Sequence, residues 1–306
     1  MANLKELSKK EEKLTGGHRL CAGCGAGIIA RQVLLACERP VVVANATGCL
    51  EVATTIFPYT SWNVPWFHSA FENAAASISG IETAYKALKK KGKVTEDIDF
   101  IAFGGDGGTY DIGLQALSGA MERGHRILYV CYNNEAYMNT GIQRSSATPL
   151  GATTTTAPSG KKSSGKIQTR KDLTAIMIAH NISFAAQTAV GFHNDLISKV
   201  QKALASNGPA FINVLQPCRL GWAYPPEDTI LLGKLAADTC VWPLYEVANG
   251  EYKLSYKPKE KKPVIEWLKV QGRFKHLFKP GNEGVLEQIQ KDVDKNWEKI
   301  LALCKA

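Results

Sequence analysis

The chain has 306 residues, 45% hydrophobic and 21% charged, a balance that excludes intrinsic disorder and collagen-like or coiled-coil chains. No run approaches the roughly 18–20 apolar residues of a membrane span, and MANLKELSKKEEKL at the start lacks the apolar core of an export signal, so a cytoplasmic protein without a membrane partner is expected. The 37 basic and 28 acidic residues leave a net charge of +9, but the excess gathers in runs at 86–93 and 257–262 that lack interleaved aromatics, so nucleic acid is not an expected partner.

Residues 1–15 read as a polar N-terminal arm. GGHRLCAGCGAG (16–27) leads into an apolar helical pattern over 28–37, and VVVANATGC (41–49) reads as a buried strand ending in a turn. A long helix over 72–91 follows, then a strand over 98–108 ending in glycines, a helix over 111–123 and a strand over 127–134. The Thr/Ser/Gly/Lys segment 141–171 is too long for an ordinary connection. It either folds over a bound cofactor, packs on a partner, or is a mobile surface loop. Helix 171–180, strand 183–190, helix 194–206 and strand 211–218 complete the pattern. This alternation predicts an α/β domain over 16–221, a doubly wound and mostly parallel sheet. Residues 222–306, proline-rich and then lysine-rich, read as an irregular C-terminal extension with a helix over 283–304, packed on the domain or on a partner subunit.

Two groups of residues carry chemistry. Gly105-Asp106-Gly107 puts a carboxylate where the chain leaves a strand, and its glycines let backbone approach a phosphate. A helix starting near Asp111 would turn its positive end to an anion. Asn133-Asn134 ends the next strand, and the Asn134 amide and the Ala136 carbonyl add neutral oxygens. One carboxylate, two neutral oxygens, a water and two phosphate oxygens make an octahedral Mg²⁺ site on a diphosphate. The second group is Cys21 and Cys24 of a CxxC loop with Cys49 and Cys218, each just past an apolar strand. Eight cysteines without an export signal point to metal or redox chemistry rather than disulfides. Four thiolates at one sheet edge fit Zn²⁺ and a [4Fe–4S] cluster equally well. Cys131 reads as a small core residue, and Cys37, Cys240 and Cys304 as inert. His68, among aromatics, reads more simply as core than as site. Glu51 and Glu72 read as capping or helix-packing residues.

The spacing of GDG and NN resembles the thiamine diphosphate fingerprint. Together with GHRLCAGCG (17–25), ANATGCLEV (44–52), PWFHSAFENAAASISG (65–80), YNNEAYMNTGIQRSSATP (132–149), SGKKSSGK (159–166), QPC (216–218) and KPVIEWLKVQGRFKHL (262–277), the chain resembles the thiamine diphosphate-binding β subunits of the 2-oxoacid:ferredoxin oxidoreductase family, those of the pyruvate:ferredoxin oxidoreductases in particular. The resemblance implies a sheet of the thiamine diphosphate-binding type. It implies that Cys21, Cys24, Cys49 and Cys218 hold a [4Fe–4S] cluster. It also implies that Asp106, Asn134 and the Ala136 carbonyl hold Mg²⁺, that Gly105, Gly107, Gly108 and Thr140 lie near the diphosphate, and that Asn139 faces the reacting carbon.

The implied reaction is oxidative decarboxylation of pyruvate. The thiazolium C2 adds to the keto carbon, loss of CO₂ leaves an enamine, its electrons pass singly to the cluster and on to ferredoxin, and coenzyme A takes the acyl group. Implied partners are α-type, γ-type and ferredoxin-like δ-type subunits of one complex. No motif here supplies the glutamate that activates the aminopyrimidine, so the chain alone is expected to be inactive. Alternatives are the same chemistry on 2-oxoisovalerate, oxalate, indolepyruvate or 2-oxoglutarate, or a zinc-stapled scaffold subunit without catalysis.

Overall fold

Four of the parallel strands that follow the first one owe their burial to apolar runs, and one is an exposed edge strand. The structure, a computed structural model, describes residues 4–304; residues 1–3 of the expected arm and 305–306 of the expected extension lie outside it. The helices and strands are α1 (Leu4–Leu7), α2 (Gly25–Ala36), β1 (Val41–Ala46), α3 (Cys49–Thr54), β2 (Trp66–Ser69), α4 (Ala74–Lys90), β3 (Asp99–Gly105), α5 (Leu114–Glu122) and β4 (Leu128–Asn133). After these come β5 (Ser159–Gly160), β6 (Ser163–Ser164), α6 (Leu173–Ile178), β7 (Phe184–Ala189), α7 (His193–Ala205), β8 (Ala210–Leu215) and α8 (Arg219–Trp222). The chain closes with α9 (Thr229–Asp238), β9 (Tyr245–Ala248), β10 (Glu251–Leu254), α10 (Ile265–Leu268) and α11 (Glu283–Leu303).

Eight strands form one sheet in the order β10-β9-β7-β8-β4-β3-β1-β2. The run from β2 to β7 is parallel, and β9 and β10 join antiparallel. Strands β4, β7 and β8 are buried at every residue, as expected of parallel strands covered on both faces. Val43, Val130 and Ile212 point into a core with α2 and α7, while Ala44, Phe100 and Cys131 point into a second core with α4, α5 and α6. This is the doubly wound α/β fold read from the sequence. Among the described residues no helix is long and apolar enough to cross a membrane.

Several local expectations change. The helix after Asp106 begins at Gly107, not near Asp111, as a π-helical turn over Gly107–Ile112 that runs into α5. Gly107 is obligatory there: an added Cβ would lie 2.4 Å from the Tyr137 ring. VPWFHSAF yields an edge strand, β2, paired to β1 with Asn45 opposite His68. His68 is therefore not a core residue: its side chain is 46% exposed. Segment 141–171 is not a mobile surface loop. Ser145, Ala147, Thr148, Ala152 and Lys166 are all buried, and Lys166 Nζ donates to the carbonyls of Ser146 and Thr148. The tail carries more regular structure than expected, since β9 extends the sheet beside β7 and α9 packs Leu232 and Ala236 into a third core.

Candidate functional site

The C-terminal ends of parallel strands are where α/β sheets place ligand crevices, and the motif residues collect there. Turns leaving β1 (Thr47–Cys49), β3 (Gly105–Gly108) and β4 (Asn134–Asn139) line one narrow cleft of about 20 Å³, closed on one side by Phe71. Gly105, Gly107, Gly108, Asn134, Ala136, Asn139 and Cys49 all line it. Thr140 does not; it is exposed, and its hydroxyl donates to Gln143 Oε1. A cavity of about 500 Å³ lies elsewhere, beneath α11 against Trp242, Tyr245 and Trp267, and contains none of the expected site residues.

Asp106 is wholly buried, and its two carboxylate oxygens have different partners. Oδ1 accepts the Asn134 backbone N–H at 3.1 Å, and Oδ2 accepts the Ser145 hydroxyl at 2.5 Å. Burial pushes its carboxyl up to about 7 in spite of both donors, and the nearby Glu135 charge adds to the rise. Asn134 sends its amide nitrogen to Gln216 Oε1 at 3.3 Å, which leaves the amide oxygen toward Asp106. A half-turn of that amide would set its nitrogen 2.9 Å from Asp106 Oδ1 and 2.8 Å from Ala136 O, donating to both. In that orientation every oxygen around the amide meets a hydrogen. Asn133 spends its amide within the protein, donating to the Tyr110 hydroxyl at 3.0 Å and accepting the Glu135 N–H at 3.0 Å.

Glu135, the next residue, is buried with φ 66°. It pairs with Arg170 from segment 141–171 and with the buried Arg273 from the tail, the latter at 2.6 Å. The Arg273 guanidinium stacks 3.8 Å over Trp222, whose indole N–H donates to Asn134 O at 2.7 Å. Burial lowers Arg273 to about 10, and the Glu135 charge opposes that. The turn that carries Asn134 is thus clamped by two distant segments. Sequence reading missed Ser145, Glu135, Arg170, Arg273 and Trp222, because no spacing rule links residues that meet only through tertiary folding.

The four cysteines lie along the same rim. Cys24 immediately precedes α2, Cys49 opens α3 after β1, and Cys218 immediately precedes α8 after β8. Burial pushes the Cys24 thiol up to about 11 and Cys49 to about 12, and the neighbouring thiols, Cys21 and Cys218 among them, push in the same direction. Cys218 rises for the same first reason. Among the described residues no group of three or more His, Cys, Asp or Glu side chains is set to hold a metal ion. The remaining cysteines behave as read: Cys37, Cys131 and Cys240 are buried, and Cys304 is half-buried at the end of α11. His68 Nε2 meets the Thr47 hydroxyl at 2.7 Å and lies 3.7 Å from Glu51, which also accepts the Thr55 hydroxyl.

Comparison with known proteins gives the family. The family described as "Thiamine pyrophosphate enzyme, C-terminal TPP binding domain" matches residues 46–214. The chain is 56% identical to a Methanocaldococcus jannaschii protein named pyruvate synthase subunit PorB, over 96% of this chain and 98% of that one. It is 52% identical to the Thermotoga maritima protein of the same name, over 97% and 94%. It is also 45% identical to a Pyrococcus abyssi protein named ketoisovalerate oxidoreductase subunit VorB, over 96% and 94%. Among solved structures, the Magnetococcus marinus 2-oxoglutarate:ferredoxin oxidoreductase superposes with a TM-score of 0.56 at 20% identity, over 68% of this chain and 66% of that one, a likeness of fold. With a thiamine-enzyme match over more than half its length and relatives at about 50% identity end to end, the chain belongs to the PorB-type β subunits of the 2-oxoacid:ferredoxin oxidoreductases.

Proposed function

We propose that this chain binds thiamine diphosphate, Mg²⁺ and a [4Fe–4S] cluster within a multi-subunit complex that oxidises pyruvate to acetyl-CoA and CO₂ and reduces ferredoxin. One observation carries the reading: Cys49, Asn134 and Ala136 line the same cleft. A cofactor held there would sit against the thiol rim.

The donors suit the cation. Mg²⁺ with bonds of about 2.0–2.1 Å sets adjacent ligand oxygens about 2.9 Å apart. The Asn134 amide position is 2.9 Å from Asp106 Oδ1 and 2.8 Å from Ala136 O. A cation beside these groups would neutralise the buried Asp106 carboxylate. A diphosphate needs more room than the cleft offers in this conformation, and the side chain best placed to yield is Tyr137, half-buried over Gly107.

The donors suit the cluster as well. Soft thiolates select zinc or iron–sulfur, but a lone zinc with bonds of about 2.3 Å draws four sulfurs to within about 3.8 Å of one another. A cluster takes each thiolate at a separate corner, and the family to which the chain belongs, redox enzymes that pass electrons to ferredoxin, favours the cluster over zinc. When bound, thiamine diphosphate supplies a carbon nucleophile and electron sink for decarboxylation, and the cluster a one-electron acceptor. This chain's residues then anchor and orient. Asp106 and Asn134 hold the cation. Gly107 and Gly108 let backbone reach the diphosphate. Asn139, exposed at the cleft mouth, faces the reacting carbon. The base for the aminopyrimidine, the remaining 2-oxoacid pocket and the further clusters belong to α-, γ- and δ-type partners.

The VorB relative favours 2-oxoisovalerate as a second reading of substrate. Anaerobic turnover of the complex with each 2-oxoacid, followed by ferredoxin reduction, decides between them. Pyruvate is expected to be fastest, to require coenzyme A, and to react only when partner subunits are present. Activity from the purified chain alone, or faster turnover of 2-oxoisovalerate, overturns the corresponding part of the reading.

A further inference from the structure

We infer that Ser145 is a positioning residue that sets the metal preference of the cofactor site: by holding one oxygen of Asp106 it offers the cation the other oxygen alone, and so favours Mg²⁺ over Ca²⁺. The inference rests on the reading of Asp106, Asn134 and Ala136 as cation ligands.

The Ser145 hydroxyl has two oxygens within reach, Asp106 Oδ2 at 2.5 Å and Thr148 Oγ1 at 3.4 Å, and the short contact is the one to the carboxylate. Ala147 N–H donates to Ser145 Oγ at 3.1 Å and helps to hold the oxygen in place. The Ser145 backbone N–H donates to Thr148 Oγ1 at 3.0 Å, and that hydroxyl donates to the Glu135 carbonyl at 2.6 Å. Ser145, Thr148 and Glu135 are wholly buried. The serine is therefore fixed to the same turn that carries Asn134, and its orientation follows from packing.

The two faces of the Asp106 carboxylate are then unequal. Oδ1 lies on the side of Asn134 and Ala136, where it accepts the Asn134 backbone N–H and keeps a second lone pair. Oδ2 is bound to a hydroxyl on the other side. A carboxylate pinned in this way coordinates through one oxygen. Mg²⁺ demands near-octahedral geometry and accepts single-oxygen carboxylates, whereas Ca²⁺ takes 6–8 oxygens at about 2.3–2.6 Å and readily uses both oxygens of one carboxylate. Without the serine hydroxyl, Oδ2 is free to turn toward the cation, a change that helps the larger ion and disturbs the smaller.

The test titrates the full-length protein, with the subunits that co-purify, with thiamine diphosphate and either Mg²⁺ or Ca²⁺ by calorimetry. In Ser145→Ala the Mg²⁺-to-Ca²⁺ ratio of cofactor affinity is expected to fall about tenfold or more, the scale of a lost hydrogen bond to a charged group. Ser145→Thr, which keeps the hydroxyl, restores the ratio. Ser145→Cys, close in size but a weak donor, is expected to shift it as alanine does and serves if the alanine variant does not fold. An unchanged ratio, or an equal loss with both ions, overturns the inference while leaving the functional reading intact. Unaltered protein whose cofactor binding ignores divalent cations overturns both.

Discussion

Asp106→Asn is expected to abolish thiamine diphosphate retention, by at least about 100-fold, because residues that merely support a ligand already cost about 10–100-fold when lost. Asparagine keeps the size of the side chain: its oxygen can still accept the Asn134 N–H, while its amide nitrogen replaces the oxygen that faces Ser145, whose hydroxyl must turn to accept. The charge and one acceptor go. The same substitution is expected to stabilise the cofactor-free chain at neutral pH. In the folded chain the Asp106 carboxyl is pushed from 3.8 up to about 7, chiefly by burial. The folded state therefore holds this proton more tightly than the unfolded state. The penalty is absent below pH 4 and grows until pH 7, so stability of the cofactor-free protein falls as pH rises through that window. The full penalty is on the order of 4 kcal/mol at 1.36 kcal/mol per pH unit. Urea unfolding of both proteins at pH 5 and pH 8 reads this directly: the difference between them should appear at pH 8 and shrink at pH 5. Cofactor retention by the unaltered chain should move the other way, strengthening with pH as the carboxylate loses the proton that competes with the cation.

Cys49→Ala is expected to do the complementary thing, removing about four irons and four sulfides per chain while thiamine diphosphate stays bound. Cys49 opens α3 directly after β1, between the cleft and the other thiols. Its thiol is driven up to about 12 by burial and by Cys218, Cys24 and Cys21. A thiolate in that place is tolerable only against a strong cation, and four such thiolates together require one. Loss of any one opens the set. Cys37→Ala is the control: Cys37 Sγ donates to Val33 O at 3.3 Å within the α2 core, far from these strand ends in its bonding, and its loss should leave iron and thiamine unchanged. Iron retained in Cys49→Ala at the level of the unaltered protein would remove this residue from the ligand set.

Much of the sheet was legible because buried parallel strands announce themselves as apolar runs: Val41–Ala46 and Leu128–Asn133 lie within the predicted limits, and Ala210–Leu215 starts one residue before its own. Edge strand β2 was not. Four residues of mixed polarity, Trp66-Phe67-His68-Ser69, carry no alternation strong enough to outweigh an aromatic-cluster reading. The π-helical turn was likewise invisible, since GGTYDI has glycine where helix propensity is lowest; Tyr137 and Phe71 lie close against those glycines. In the site, Asp106 and Asn134 were legible because a short motif holds them on adjacent strands. Ser145 was hidden in a serine- and threonine-rich stretch, and Glu135, Arg170 and Arg273 form an ion triad from three segments that no local pattern connects. The tail, read as an appendage, reaches the motif through Arg273 and Trp222.

One analysis bears most directly on the claim that an organic cofactor and an inorganic cluster share a wall at Cys49. The protein, purified without air together with its co-purifying subunits, is assayed at once for iron, acid-labile sulfide, zinc and thiamine diphosphate. The account predicts close to one thiamine diphosphate per chain and at least about four irons and four sulfides per chain, with broad absorption that bleaches on reduction. A colourless protein carrying zinc in place of iron, or one that holds iron and sulfide but no thiamine diphosphate, would contradict it.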